Sequence, residues 1–176
     1  MHRINRYRGF NPRSNFPTSS SLKRKEQLFV IRFAKIMSKD SSSRELSFIR
    51  ELPMNGYGIA DLLLLRKYLR NQNGKEPKPY RTNLISFEMK ITDWRKALSQ
   101  AFRYKYFANQ SIVVLPNQSS LIAKKFLTTF KKLEVGLWSI DDNLDLIRKI
   151  YTPKLRKPIN KKAFKKALSH FVEDHS

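Results

Sequence analysis

Two apolar segments separated by an amphipathic helix limit most strongly how this chain can fold. The segment "ISFEMK", residues 85–90, alternates apolar and polar side chains with the period of a strand, and "SIVVLP", residues 111–116, is an apolar run. Residues 92–109 between them are predicted to be helical, with Thr92 as the N-cap. The apolar stripe of this helix consists of Trp94, Ala97, Leu98, Ala101, Tyr104 and Ala108. A strand, a helix and a second strand in this order predict a parallel pair with a right-handed crossover.

The remaining segments complete a mixed sheet. "IADLLLLRKYL", residues 59–69, has the near-continuous apolar run of a central strand buried on both faces, and "ELSFIREL", residues 45–52, precedes it as a shorter strand. The other predicted elements are helices at 21–38, 118–132 and 160–174 and strands at 135–141 and 144–151. The sequence therefore predicts an α/β fold: a mixed central sheet, with an antiparallel meander of three strands, flanked by helices.

The length and the distribution of charge divide the chain into three parts. With 176 residues, one folded domain is the default, and we place it at residues 21–153. Residues 1–20 contain arginine, proline, glycine and serine but no acid, which predicts a flexible basic arm. Residues 154–176 are predicted to form a basic C-terminal helix that packs on the domain or extends it.

The net charge points to a polyanionic partner. The chain has 36 lysines and arginines against 14 aspartates and glutamates, a formal charge of +22. A charge of this size destabilises the compact state unless a polyanion lies nearby. Nucleic acid is the favoured partner, and a membrane surface is the weaker alternative.

The composition also excludes several kinds of site. There is no cysteine, so disulfides and thiolate metal sites are excluded. The three histidines, His2, His170 and His175, lie in the terminal segments, which argues against a histidine-based catalytic or zinc site. No apolar run approaches the length of a membrane span, and no secretory signal is visible. An intracellular location, cytoplasmic or nucleoid-associated, is expected; proline and glycine in the first 20 residues argue against an organelle transit peptide.

Two carboxylates interrupt otherwise apolar strands. Asp61 begins the run of four leucines, which predicts that it lies in the interior of the sheet, and Glu88 lies within the strand predicted at 84–91. A lone buried carboxylate is costly, and a bound cation lowers that cost. Two oxygen donors on neighbouring strands suit Mg²⁺. Lys90 points to the same side as Glu88 and could hold a water or a phosphate oxygen, although an exposed Glu–Lys pair is the ordinary alternative.

These residues resemble the PD-(D/E)xK nuclease superfamily, which has the restriction-endonuclease-like fold. "GIADLLLL" followed by "FEMK" is similar to the superfamily motif, with Asp61, Glu88 and Lys90 at its acidic and lysine positions. Ala60 stands where the motif has proline. The resemblance covers about residues 22–116 and implies that the folded domain is a nuclease domain.

The helix after the lysine strand adds a second resemblance. In "QAFRY", Gln100 and Tyr104 are similar to the QxxxY element of RecB-like nucleases, and their spacing places them on one helix face. An ordinary boundary between core and solvent is the alternative for this pair. The superfamily often has an acid in its first helix, for which Glu26 is the candidate, with a salt-bridged surface residue as the alternative.

The resemblance implies a metal-dependent deoxyribonuclease. Asp61 and Glu88 would bind one or two Mg²⁺ ions, for which Mn²⁺ can substitute, and the backbone carbonyl of Met89 would complete the ligand set. Lys90 would orient or activate the attacking water, Gln100 would position Lys90 or that water, and Tyr104 would brace the helix or touch DNA. Attack would leave a 5′-phosphate. Two alternatives stay open: a Holliday-junction or branched-DNA resolvase, which would act as a homodimer, and a non-catalytic nucleic-acid-binding module. RNA stays open as a substrate.

Several basic residues are candidates for phosphate contacts, with a solvated face as the alternative. They are Arg95, Arg103, Lys161, Lys162, Lys165 and Lys166. Phe102, Tyr106 and Phe107 are expected in the core rather than as surfaces on which bases stack.

Overall fold

One mixed β-sheet runs through the part of the chain that the structure describes. The structure is a computed structural model, and it describes residues 7–8, 21–39, 45–68, 81–141 and 145–171. The strands are β1 (Tyr7–Arg8), β2 (Glu45–Met54), β3 (Gly58–Tyr68), β4 (Arg81–Met89), β5 (Gln110–Pro116), β6 (Gly136–Asp141) and β7 (Leu146–Tyr151). The helices are α1 (Ser21–Lys39), α2 (Trp94–Tyr104), α3 (Asn117–Lys124), α4 (Leu127–Leu133) and α5 (Lys161–Ser169). The predicted α/β class is confirmed.

The strands lie side by side in chain order, from β1 to β7. β2, β3 and β4 form the predicted antiparallel meander, β4, β5 and β6 run parallel, and β7 is antiparallel to β6. The parallel pair predicted on either side of α2 is confirmed, with Ile85 opposite Gln110 and Met89 opposite Val114. The C-terminal ends of β4 and β5 therefore lie at the same edge of the sheet.

Helices cover both faces of the sheet, and the four leucines of β3 show how. Leu62 and Leu64 lie in the core beneath α1. Leu63 and Leu65 face the other side, where α2 and α5 pack. A third group of buried side chains joins α2, α3 and α4 to β5 and β6. A strand that is buried on both faces has no solvated side, which explains the unbroken run of leucines.

Helix α2 is shorter than the sequence pattern predicts. Asp93, and not Thr92, is its N-cap, because the Asp93 carboxylate accepts a hydrogen bond from the Lys96 N–H at 3.0 Å. The helix ends at Tyr104, since residues 105–107 continue in a tighter turn with i→i+3 hydrogen bonds. The predicted stripe is nevertheless buried as expected.

The helix predicted at 118–132 is two helices, α3 and α4. Phe126 separates them with φ −108° and ψ 23°, outside the helical region. Its ring stacks on Trp94, with 4.8 Å between the ring centroids. Periodicity alone did not reveal the break, because the apolar spacing continues across it.

Helix α5 packs its apolar side on the sheet and exposes its lysines. Asn160 caps it, since the side-chain oxygen accepts hydrogen bonds from the N–H groups of Lys162 and Ala163 at 2.9 and 3.1 Å. The apolar side consists of Ala163, Phe164, Ala167 and Leu168, and Phe171, two residues after the helix, packs against the same cluster. The exposed side carries Lys161, Lys162, Lys165 and Lys166. Residues 172–176, where the predicted helix continued to residue 174, lie outside the described residues.

Part of the predicted N-terminal arm is paired with the sheet. Tyr7 and Arg8 form β1 and pair in parallel with Phe48 and Ile49 of β2. The prediction of a flexible arm did not include this pairing. The other residues between 1 and 20 lie outside the described part of the chain.

Candidate active site

The strands β3 and β4 separate at Asp61, and this separation creates the site. Their pairing extends from Tyr68–Arg81 to Leu62–Phe87. Beyond that point the Asp61 carboxylate, through Oδ2, accepts the Met89 N–H at 2.7 Å. The Asp61 side chain is 24% exposed. The prediction that Asp61 lies in the sheet interior is wrong, because the pairing of β3 with β4 ends at Leu62, the residue after Asp61.

Glu88 is the fully buried carboxylate of the site. Its side chain is 0% exposed, and its Oε1 lies 2.9 Å from the Lys90 ammonium. Its Oε2 lies 2.8 Å from the Tyr104 hydroxyl, which also lies 2.6 Å from the Ile59 carbonyl oxygen. The hydroxyl has one hydrogen to donate and the Ile59 carbonyl can only accept. Both contacts are therefore satisfied together when Glu88 carries a proton.

Three oxygens converge on the Lys90 ammonium. The distances from Nζ are 2.9 Å to Glu88 Oε1, 3.0 Å to the Met89 carbonyl oxygen and 3.7 Å to Asp61 Oδ2. These are the oxygens of the three residues predicted to bind a metal. Two carboxylates and a carbonyl around one cation match the hard oxygen ligands that Mg²⁺ prefers, so the donor set fits this ion.

Burial raises the pKa of both carboxyl groups. Burial, followed by the charge of Asp61, raises the pKa of Glu88 to about 7, although Lys90 and Tyr104 oppose the rise. Burial also raises the pKa of Asp61, and the charges of Glu26 and Glu51 add to this. Such perturbed carboxyl groups cluster at functional sites.

The two carboxylates also shift the pKa values of Lys90 and Tyr104. Burial by itself lowers the pKa of the Lys90 ammonium, but the charges of Asp61 and Glu88 outweigh it and leave that pKa raised. Burial and the charge of Glu88 raise the pKa of Tyr104. The ammonium and the phenol therefore keep their protons. Tyr104 is 0% exposed, so it braces Glu88 and the predicted alternative of a DNA contact is wrong.

Gln100 lies one turn before Tyr104 on α2. Its side-chain oxygen is buried and has no hydrogen-bond partner among the described residues. An amide oxygen in this state is available to accept a hydrogen bond from a water or from a bound group.

Glu26 lies close enough to the site to act through its charge. It is partly buried on α1, and its charge raises the pKa of Asp61 and of Lys90. It does not join the carboxylates as a ligand: in the described ranges no three histidine, cysteine, aspartate or glutamate side chains come together as a metal-binding group. The predicted metal set of Asp61, Glu88 and Met89 therefore has two carboxylates, with a backbone carbonyl as the third oxygen.

The predicted basic contacts lie in different surroundings. The guanidinium of Arg95 lies over the rings of Trp94 and Phe126, at 4.5 and 5.2 Å from their centroids. Arg103 is exposed and borders the turn between β2 and β3, where a Cβ added at Gly58 would lie 3.8 Å from its Nη2. Gly58 directly precedes Ile59, whose carbonyl contacts the Tyr104 hydroxyl, so Arg103 lies beside residues that border the site.

Sequence reasoning missed two contributors to the site, Ile59 and Glu51. Ile59 acts through its backbone, which leaves no side-chain signal. Glu51 is exposed and adopts a left-handed φ of 50°, and its charge raises the pKa of Asp61. The glycines of "NGYG" were the available signal for a tight turn beside the site, since Gly56 and Gly58 have φ of 83° and 103°.

Comparisons with known proteins add no assignment. No protein-family model matches the chain, and neither curated proteins nor solved structures match it. Within the described ranges no helix is long and apolar enough to cross a membrane.

Proposed function

We propose that this chain is a Mg²⁺-dependent deoxyribonuclease of the PD-(D/E)xK type, with a restriction-endonuclease-like core in residues 21–153. The observation that carries the proposal is the convergence of Asp61 Oδ2, Glu88 Oε1 and the Met89 carbonyl on one cation, the Lys90 ammonium. A hydrophobic core gains nothing from such a cluster, because burying Glu88 with an ammonium costs more than burying apolar side chains of similar volume.

The same three oxygens would hold the metal ion. When bound, Mg²⁺ or Mn²⁺ polarises the scissile phosphate and makes a water more acidic. Asp61 and the Met89 carbonyl are held in place by the backbone at the end of β4, since Asp61 accepts the Met89 N–H. This rigid arrangement is what a preorganised site requires.

The remaining residues have separate roles. Tyr104 holds Glu88 Oε2, so that Oε1 stays directed at the cation position. Lys90 brings a permanent positive charge to the place where negative charge develops on the phosphate. Gln100, with its unpartnered oxygen, would accept a hydrogen bond from the attacking water or from Lys90. Glu26 adds negative charge near Asp61, which strengthens the attraction of the site for a cation.

The basic surface supports DNA as the substrate. From Trp94 to Leu133 and from Leu146 to Phe171 the sequence contains no aspartate or glutamate. The exposed lysines of α5 and Arg103 lie on the side of the sheet that carries α2. Contacts of this kind bind phosphates without reading sequence.

A cleavage assay with two lysine variants tests the proposal. The protein is incubated with linear, circular and branched DNA in Mg²⁺ and in EDTA. We expect Mg²⁺-dependent cleavage, and Lys90→Ala should lower kcat roughly 10²-fold or more, the scale of losing one group directed at the transition state. Lys96→Ala is the matched control, because Lys96 is an exposed lysine on α2.

The absence of cleavage of all three DNAs by the wild-type chain would reject the nuclease and leave a binding module. Equal cleavage by the Lys90→Ala and Lys96→Ala variants would reject the assignment of the site to Lys90 and its neighbours.

A further inference from the structure

Two aromatic rings lie exposed at the C-terminal end of α2 and in the turn that follows it. Phe102 and Tyr106 are 41% and 39% exposed, whereas Phe107 is fully buried. The expectation that all three lie in the core is therefore correct for Phe107 alone. Phe102 lies in the last turn of α2, and Tyr106 lies in the tighter turn that continues it.

Each ring is held on one side by a neighbour that is itself anchored. Tyr57 stacks on Tyr106, with 5.1 Å between centroids, and the Tyr57 hydroxyl accepts a hydrogen bond from Asn160 at 3.0 Å. The Lys105 ammonium lies 5.5 Å from the Phe102 centroid and donates to the Leu133 carbonyl at 2.8 Å. The rings are therefore preorganised, which lowers the entropy lost when a ligand stacks on them.

The charge around the rings selects the ligand. Five basic residues surround the two rings, either next to them in the sequence or next to residues that contact their neighbours. They are Arg103, Lys105, Arg156, Lys161 and Lys162. Glu134 is the acid that this surface contains within the described residues, and it is paired with Arg156 at 2.7 Å and with Lys105 at 3.6 Å. The net charge is positive, so a second copy of this +22 chain would be repelled.

We infer that Phe102 and Tyr106 form a stacking platform for unpaired bases of DNA. Aromatic rings among basic side chains are how proteins bind single-stranded nucleic acid without sequence preference. A duplex hides the faces of its bases, so the platform is useful only to a strand that is single or locally opened. The inference extends to the substrate, and this extension rests on the proposed nuclease function. The preferred substrate is then DNA with a single-stranded segment beside the cleaved bond.

The platform and the site lie on different sides of the chain at the C-terminal end of α2. Tyr104 lies between the two exposed rings in the chain and points inward to Glu88. A helix with its side chains is about 10–12 Å across, so the bases on the platform lie near the reacting phosphate but not on it. Arg103, beside Gly58, lies between the two regions and is positioned to contact the intervening phosphate.

The test measures binding in EDTA, where no cleavage occurs. The probes are a fluorescein-labelled oligo(dT) of about 16 nucleotides, the upper end of single-strand site sizes, its abasic counterpart and a hairpin duplex with the same number of phosphates. Phe102→Ala and Tyr106→Ala should each weaken binding of oligo(dT) about 5- to 100-fold, the effect of losing one stacked base, and leave binding of the duplex unchanged. The abasic strand should bind the wild-type chain as weakly as oligo(dT) binds the variant that carries both Phe102→Ala and Tyr106→Ala.

Three controls keep the result interpretable. Tyr106→Phe keeps the ring and should keep the affinity. Leu121→Ala removes a 54% exposed apolar side chain on α3 and should change nothing. Thermal melting checks that the Phe102→Ala variant is folded; the Phe102 ring does not contact Tyr57.

Equal losses of affinity for oligo(dT) and for the duplex, or no loss in either variant, would overturn the platform. Because these measurements need no catalysis, a chain that binds as expected but cleaves no DNA would reject the nuclease and keep the platform.

Discussion

Glu88 and Glu134 are both paired with basic side chains, yet their carboxyl groups respond in opposite directions. Glu88 lies 2.9 Å from Lys90, and its pKa is raised to about 7 because burial and Asp61 outweigh the ammonium. Glu134 lies 2.7 Å from Arg156 at the surface, and the hydrogen bond from Arg156 lowers its pKa. The distance to a cation does not decide the outcome; desolvation does. The raised pKa of Glu88 therefore follows from its burial, in spite of the ammonium 2.9 Å away.

The comparison predicts that one glutamate is essential and the other is dispensable for cleavage. Glu88→Ala and Asp61→Ala should each reduce Mg²⁺-dependent cleavage to background, because two of the three cation-directed oxygens are carboxylates. Glu134→Ala should leave kcat unchanged. DNA binding in EDTA should persist or tighten in the first two variants, since each removes a negative charge near phosphate. Equal cleavage by the Glu88→Ala and Glu134→Ala variants would contradict the prediction that Glu88 is essential for cleavage.

The two glutamates also predict opposite dependences of stability on pH. The pKa of Glu88 rises from 4.5 to about 7 on folding, so the folded chain binds more protons between these values. Its contribution is fully present below pH 4.5 and is lost as the pH rises through 7, a change of about 3 kcal/mol from a shift of this size. Glu134 has the opposite sign, because its pKa is lowered: its contribution is present above pH 4.5 and is lost as the pH falls.

Urea unfolding of wild type and Glu88→Gln across this range measures the effect. Gln cannot titrate, so the variant should lose most of the fall in unfolding free energy between pH 4.5 and 7. Glu134→Gln is the control and should keep that fall. An identical pH profile in wild type and Glu88→Gln would contradict the raised pKa.

Exposed charges should affect binding and leave chemistry unchanged. Changing Lys161, Lys162, Lys165 and Lys166 together to Gln should weaken DNA binding and reduce the salt slope by roughly 0.9 for each lost phosphate contact. The helix should persist, because Gln has good helix propensity and the apolar side of α5 is untouched. Fluorescence anisotropy against salt concentration, with kcat at saturating DNA measured separately, checks this. An unchanged slope would show that these lysines are solvated, and a lowered kcat would place them in the site.

Much of the fold was predictable because periodicity reports burial. The leucine run of β3, the alternation in β4 and the stripe of α2 each describe a surface that must be covered, and all three elements formed. The boundaries were less predictable, since they depend on single contacts. Asp93 displaced Thr92 as the N-cap through one hydrogen bond to Lys96, and Phe126 divided a helix by stacking on Trp94.

The sequence by itself determined the identity of the candidate site. Asp61, Glu88 and Lys90 stand out because charge in an apolar strand needs a reason, and their order along the chain supplied the resemblance. Only the tertiary structure decided how these residues meet: where β3 and β4 part, that Ile59 and Glu88 share the Tyr104 hydroxyl, and that Phe102 and Tyr106 remain exposed while Phe107 is buried. Local patterns record whether a side chain prefers water or core. Distances between strands and the faces of a turn are set by packing against distant parts of the chain, which no local pattern encodes.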